Sequence, residues 1–97
     1  MLTIQQIKDT VAGYLKDKPV KEVYLFGSYA RGEAKEESDV DLGIILKDER
    51  ISLYQYIGIA EGLQQLLGKK VDFVEIAFMH AWVKRGFETD KLEIYHA

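Results

Sequence analysis

The chain has 97 residues, no cysteine and a formal charge of −3 at pH 7. Such a length makes one domain that buries roughly two-thirds of its unfolded surface; the acidic balance argues against long nucleic acid, whose non-specific affinity comes from Lys and Arg; and without thiols there is no disulfide framework, thiolate zinc site or thiol nucleophile. No basic segment precedes an apolar one at the start and no apolar run reaches spanning length, so a cytoplasmic protein with no membrane role is expected.

Thr3 and Gln6 have the spacing of a capping box, and Ile4, Ile7, Val11 and Leu15 mark one face of a helix predicted to reach about Asp17, where Asp17-Lys18-Pro19 stops it. Val23-Tyr24-Leu25-Phe26 reads as a buried strand. Gly27-Ser28 ends it and Tyr29-Ala30-Arg31 opens a short helix, so free backbone N–H groups and a positive helix end face whatever sits there. An anion suits that position, because Gly27 has no side chain to block a phosphate and both the hydroxyl and the amide of Ser28 can donate to it. Arg31 contacts the triphosphate or a partner, or forms a surface ion pair with Glu33, Glu36 or Glu37.

After a polar loop from Gly32 to Glu37, Ser38 through Leu46 reads as a second strand. With a period of two, Asp39 and Asp41 project from one face and Val40, Leu42 and Ile44 from the other. Two adjacent carboxylates repel, and a bound Mg²⁺ removes the conflict by taking both as hard ligands. Ser38 is expected to orient Asp39, or merely to enter the strand. Gly43, on the face of Asp41, leaves space for ribose or base, or simply relieves packing.

Ser52 and Gln55 open another helix, whose apolar residues Leu53, Ile57, Ala60, Leu63 and Leu67 recur at helical spacing and which Gly68 ends. Lys70 to Ile76 is a third strand carrying Asp72. In isolation an acid there is a surface residue; beside the strand of Asp39 and Asp41 it completes a cluster able to hold one or two Mg²⁺ ions, orient a nucleoside triphosphate and take the proton of an attacking hydroxyl. Phe78 to Gly86 is predicted as a last helix. Phe78, Trp82, Phe87 and Tyr95 form either a flap over one sheet face or a partner contact, and Tyr54 and Tyr56 present the same choice. Gly58 and Gly62 would allow close approach of another helix. His80 and His96 lack ligand spacing and are given surface or packing roles. The expected architecture is α/β (α+β): one domain over residues 1–97, a small mixed sheet with helices packed mainly on one face.

Two competing motifs fail on spacing. Glu33 stands where a P-loop needs its lysine, and Ile44 and Arg50 stand where a calcium loop needs its glycine and its bidentate glutamate.

The run Gly27-Ser28, ten residues, Asp39-Val40-Asp41, followed by Asp72 in a Val-Asp-Phe-Val strand, resembles the nucleotidyltransferase superfamily related to DNA polymerase beta. More narrowly, Gly-Ser-Tyr-Ala-Arg-Gly, Ser-Asp-Val-Asp-Leu, Leu-Gly-Lys-Lys-Val-Asp and the short chain resemble the minimal nucleotidyltransferases, with the likeness covering residues 22–76 and the last twenty residues matching loosely. The resemblance implies the superfamily's fold; catalytic and metal-binding roles for Asp39, Asp41 and Asp72; nucleotide contacts from Gly27, Ser28, Arg31, Ser38 and Gly43; Mg²⁺; and ATP as substrate. It also implies an antitoxin, in homo- or hetero-oligomeric assembly with a HEPN-domain ribonuclease toxin, that transfers AMP from ATP to a toxin tyrosine. The alternatives are an antitoxin that neutralises the toxin by binding alone, and a transferase with a small-molecule acceptor, an activity that normally needs a further domain.

Overall fold

The computed structural model describes residues 1–48 and 50–97. The chain runs α1 (Ile4–Leu15), β1 (Val20–Phe26), α2 (Ser28–Arg31), β2 (Val40–Leu46), α3 (Leu53–Leu67), β3 (Val71–Glu75), a 3-10 turn (Ile76–Phe78), α4 (Ala81–Asp90) and β4 (Leu92–His96). Helix α1 starts as its sequence dictates: Thr3 Oγ1 accepts from the Gln6 amide at 3.0 Å while Gln6 Oε1 accepts from the Thr3 amide at 2.8 Å. Two otherwise orphaned donors are thereby satisfied. The helix stops at Leu15, two residues short of Asp17. Helix α3 opens on the Ser52 hydroxyl, which accepts from the Gln55 amide, and closes on Gly68 in the left-handed conformation that lets its amide reach Gln64 O.

The sheet order is β3-β2-β1-β4, with β1 antiparallel to both β2 and β4 and β2 parallel to β3. This is the mixed sheet expected. Alternation along β1 and β2 sends Val23, Leu25, Val40, Leu42 and Ile44 to one face, where they bury against Ile7, Val11 and Leu15 of α1 and Ile59, Leu63 and Leu67 of α3. Most of the helical mass therefore lies on that face. On the other face α4 packs through Phe87, whose ring meets Phe26 and Tyr24 edge-on at centroid distances of 5.3 and 5.9 Å, with Ile76 of the 3-10 turn and Met79 beside it over Gly43.

Gly62 lets α1 and α3 approach closely, since a Cβ there would collide with the Tyr14 ring and hydroxyl, whereas Gly58 faces open space. The buried stripe of α3 is rotated from the expected one. Leu53 and Ile57 are exposed, and Ile59 takes the core position beside Leu63 and Leu67, with Tyr56 packed at its edge. Tyr56 Oη donates to the Phe73 carbonyl at 2.6 Å, tying α3 to β3. Two stripes at three- and four-residue spacing coexist on this apolar helix, so periodicity did not choose between them. We expect Leu63→Ala to cost about 2–5 kcal/mol in denaturant unfolding, against no more than about 0.5 kcal/mol for Leu53→Ala.

Three further expectations are corrected. Strand β1 begins at Val20 rather than Val23, and β2 at Val40 rather than Ser38, leaving Ser38 and Asp39 in the entry to the strand. Helix α4 begins at Ala81 instead of Phe78 and runs four residues past Gly86, to Asp90. Strand β4, which closes the sheet beside β1, was not foreseen.

Candidate active site

The site is set by the pairing of β2 with β3. The Val40 amide donates to Lys70 O at 2.9 Å, and the Val71 amide to Gln64 Oε1 at 3.0 Å, fixing where β3 starts against β2 and α3. In the resulting parallel register Asp41 lies directly beside Asp72. Neighbouring residues in register share a face, and adjacent strands are about 4.8 Å apart. Antiparallel pairing on the other side places Phe26, the residue before Gly27, opposite Asp41.

Gly27 adopts φ 76° and ψ −155°, a region that essentially only glycine occupies, and a Cβ on it would run into the Asp41 carboxylate. The elbow thus needs glycine twice, for its backbone and for the carboxylate beneath it. Ser28 follows as the half-buried first residue of α2, a helix that no side chain caps at its start. Gly32, also left-handed, ends α2 one turn later.

The electrostatics of the three acids are uneven. Burial pushes the Asp41 carboxyl up to about 7, aided by its hydrogen bond to Asp72 and the charges of Asp72 and Asp39, and opposed by Arg31. Asp72 is exposed, and Asp39 turns one oxygen towards Lys70 Nζ, 4.0 Å away. The three carboxylates do not all come within 4.8 Å of one another; among the described residues that closeness is met by Glu22, Glu93 and His96. A divalent cation nevertheless suits the donor set. Asp41 and Asp72 offer adjacent hard oxygens whose mutual repulsion a cation relieves, and Asp39 needs only to leave a 4.0 Å contact with an exposed lysine.

The remaining nucleotide-contact candidates divide. Arg31 forms ion pairs with Glu33, as the surface alternative anticipated, and with Asp90, which it did not. The Ser38 hydroxyl accepts from the Lys35 amide at 2.8 Å and its own amide donates to Lys35 O, so it closes the loop that delivers Asp39 instead of orienting the carboxylate. Gly43 leaves no room for ribose or base. A Cβ there would lie 2.8 Å from Phe87 Cε1 and 3.1 Å from Ile76 Cγ1 and Met79 Cε, so its openness is filled by the chain's own second face.

The aromatic candidates also separate: Phe87 is buried and Tyr95 packs on the core, whereas Phe78, Trp82 and Tyr54 are 77%, 71% and 90% exposed. His80 is exposed at the start of α4 without capping it. His96 is brought near Glu93, at 3.9 Å, by an irregularity that sequence spacing could not show. Tyr24 pairs with Glu93 while Val23 pairs with Tyr95, leaving Ile94 as the extra residue of a bulge and turning Glu93 and His96 to the same face. Tyr24 Oη donates to Glu22 at 2.7 Å and lies 3.1 Å from Glu93; the Glu22 bond, then burial, push the phenol well above its usual range. This group has internal partners and stands apart from the Asp41–Asp72 pair.

A family model for the nucleotidyltransferase domain matches residues 6–95. The chain is 42% identical over 78 residues to the protein adenylyltransferase MntA of Thermococcus cleftensis, a likeness covering 76% of this chain and 78% of that protein. It is 38% identical over 100 residues to a Methanocaldococcus jannaschii protein provisionally named a protein adenylyltransferase, covering 97% of this chain and 100% of the other. The fold is shared with a solved complex of a tri-AMPylated Shewanella oneidensis HEPN toxin and its MNT antitoxin, at a TM-score of 0.71 and 20% identity, over 96% of this chain and 72% of the matched one.

Proposed function

The chain belongs to the nucleotidyltransferase domain family and is a nucleotidyltransferase enzyme, and on that premise we propose that it transfers AMP from ATP to a tyrosine hydroxyl of a HEPN ribonuclease toxin, acting as the toxin's antitoxin. The observation that carries this reading is the in-register pair Asp41–Asp72 lying against the glycine elbow at Gly27. Gly27 and Ser28 cradle the phosphates with backbone and hydroxyl donors, and Arg31 adds a cationic contact. Asp39, Asp41 and Asp72 would hold one or two Mg²⁺ ions, whose chemistry is to neutralise charge building on the phosphates. Asp72, the most exposed of the three by its strand position, takes the proton of the acceptor hydroxyl. The hydroxyl oxygen bonds to the α-phosphorus, the bond from that phosphorus to the bridging oxygen breaks, and pyrophosphate leaves. Catalysis of this kind consists of positioning and charge neutralisation, without a covalent enzyme intermediate.

We take residues 1–97 as one catalytic unit, working in the cytoplasm where ATP is available. The named relatives support protein adenylylation, and the solved complex, an AMPylated toxin beside its antitoxin, supports the acceptor class. The test incubates the purified chain with labelled ATP, Mg²⁺ and a purified HEPN ribonuclease toxin. Label should appear on a toxin tyrosine and vanish with Asp39→Ala. Full protection of the cell by a triple Asp39, Asp41 and Asp72→Ala variant at equal stoichiometry would instead establish neutralisation by binding alone.

A further inference from the structure

We propose that Asp90, at the C-terminal end of α4, is a positioning residue that fixes the Arg31 guanidinium for the β- and γ-phosphates of the nucleotide; this rests on the assignment of the Gly27–Ser28 elbow as the phosphate site. Arg31 Nη1 lies 2.7 Å from Asp90 Oδ2 and Nε lies 2.9 Å from Glu33 Oε1. The two acids differ in shelter. The Asp90 side chain is 11% exposed and that of Glu33 66%, so Asp90 is the durable anchor, and the Glu33 pair, largely in water, holds little.

Both ends of the Arg31–Asp90 bond are anchored. Asp90 follows Phe87, the α4 residue wedged against Phe26 just before the elbow, and leads through Lys91 into β4, paired to β1. Arg31 closes α2, whose amide reaches back to Gly27 O at 3.1 Å. With Nε and Nη1 engaged, the remaining nitrogen Nη2 has no protein partner among the described residues and is left to donate to phosphate oxygens. A preset guanidinium fork need not lose on binding much of the rotamer freedom that a free arginine carries.

The test is a double-mutant cycle on the affinity for Mg²⁺ with AMP-PNP, a non-hydrolysable ATP analogue, measured by calorimetry on the full chain. Arg31→Ala should weaken binding, Asp90→Asn should weaken it about fivefold to tenfold, the double variant should be no weaker than Arg31→Ala alone, and Asp90→Glu should recover part of the loss. Melting temperatures separate these effects from unfolding. Additive losses in the double variant would mean that Asp90 supports the fold and not Arg31, and unchanged or tighter binding by Asp90→Asn would overturn the assignment while the phosphate site stands. Unchanged binding by Arg31→Ala would remove Arg31 from the site, and Asp90 with it.

Discussion

Asp41→Asn is expected to lower nucleotidyl transfer by on the order of 10²–10³ or more, and, in metal-free buffer at pH 8, to raise the melting temperature. Asparagine keeps the shape but has no charge to offer a cation. The stability change follows from the carboxyl being pushed up to about 7 by burial and by Asp72 and Asp39, against about 3.9 for an unfolded aspartate. The folded state therefore binds this proton more tightly than the unfolded one. Its contribution is fully present below about pH 4 and fades as pH rises towards 7. Since the group is half in solvent the effect is discounted to about 1–2 kcal/mol, or roughly 4–16 °C in a domain of this size. Thermal melts in EDTA at pH 4 and pH 8 check the sign: the variant should gain on the native chain only at the higher pH. Adding Mg²⁺ at pH 8 should stabilise the native chain and leave the variant unmoved. A native chain that is most stable at pH 8 without metal, relative to the variant, would contradict the frustrated-carboxylate picture.

Gly27→Ala should abolish transfer and cost on the order of 2–4 kcal/mol in urea unfolding. The backbone at φ 76° and ψ −155° strains any residue with a Cβ, and the added methyl would meet the Asp41 carboxylate. Relief requires either the elbow to lift or Asp41 to turn away, and both dismantle the site. Combining Gly27→Ala with Asp41→Gly separates the two causes, because the double variant retains the backbone strain and loses the collision. It should regain part of the stability and none of the activity.

The local signals proved legible where chemistry is short-range. The Thr3–Gln6 box, the Ser52 cap, the Gly68 stop and the end of the first strand at Gly27-Ser28 are each decided by a few neighbouring atoms, and the structure has all four. The carboxylate pair was legible too, since a period of two and the supposition of adjacent strands suffice to bring Asp72 beside Asp41. What failed depends on distant partners. Strand β4 has the burial pattern of one inward residue, Ile94, among polar and exposed neighbours, so only its pairing with β1 makes it a strand. Gly43 seemed to keep space for a ligand because nothing nearby in the chain announces that Phe87 fills it. Asp90 carries no motif, and its relation to Arg31 exists only once α4 is docked.

The parallel pairing of β2 with β3 bears on how the chain reaches its native state. Asp41 and Asp72 stand on opposite sides of the crossover helix α3, so no local hairpin can bring them together, and the crossover must close first. Their juxtaposition also opposes like charges at neutral pH. Assembly of the chemical centre should therefore be a late event in refolding, slower at pH 8 than at pH 5 in chelator, and accelerated by divalent cation more than by any change in the α1–α3 core.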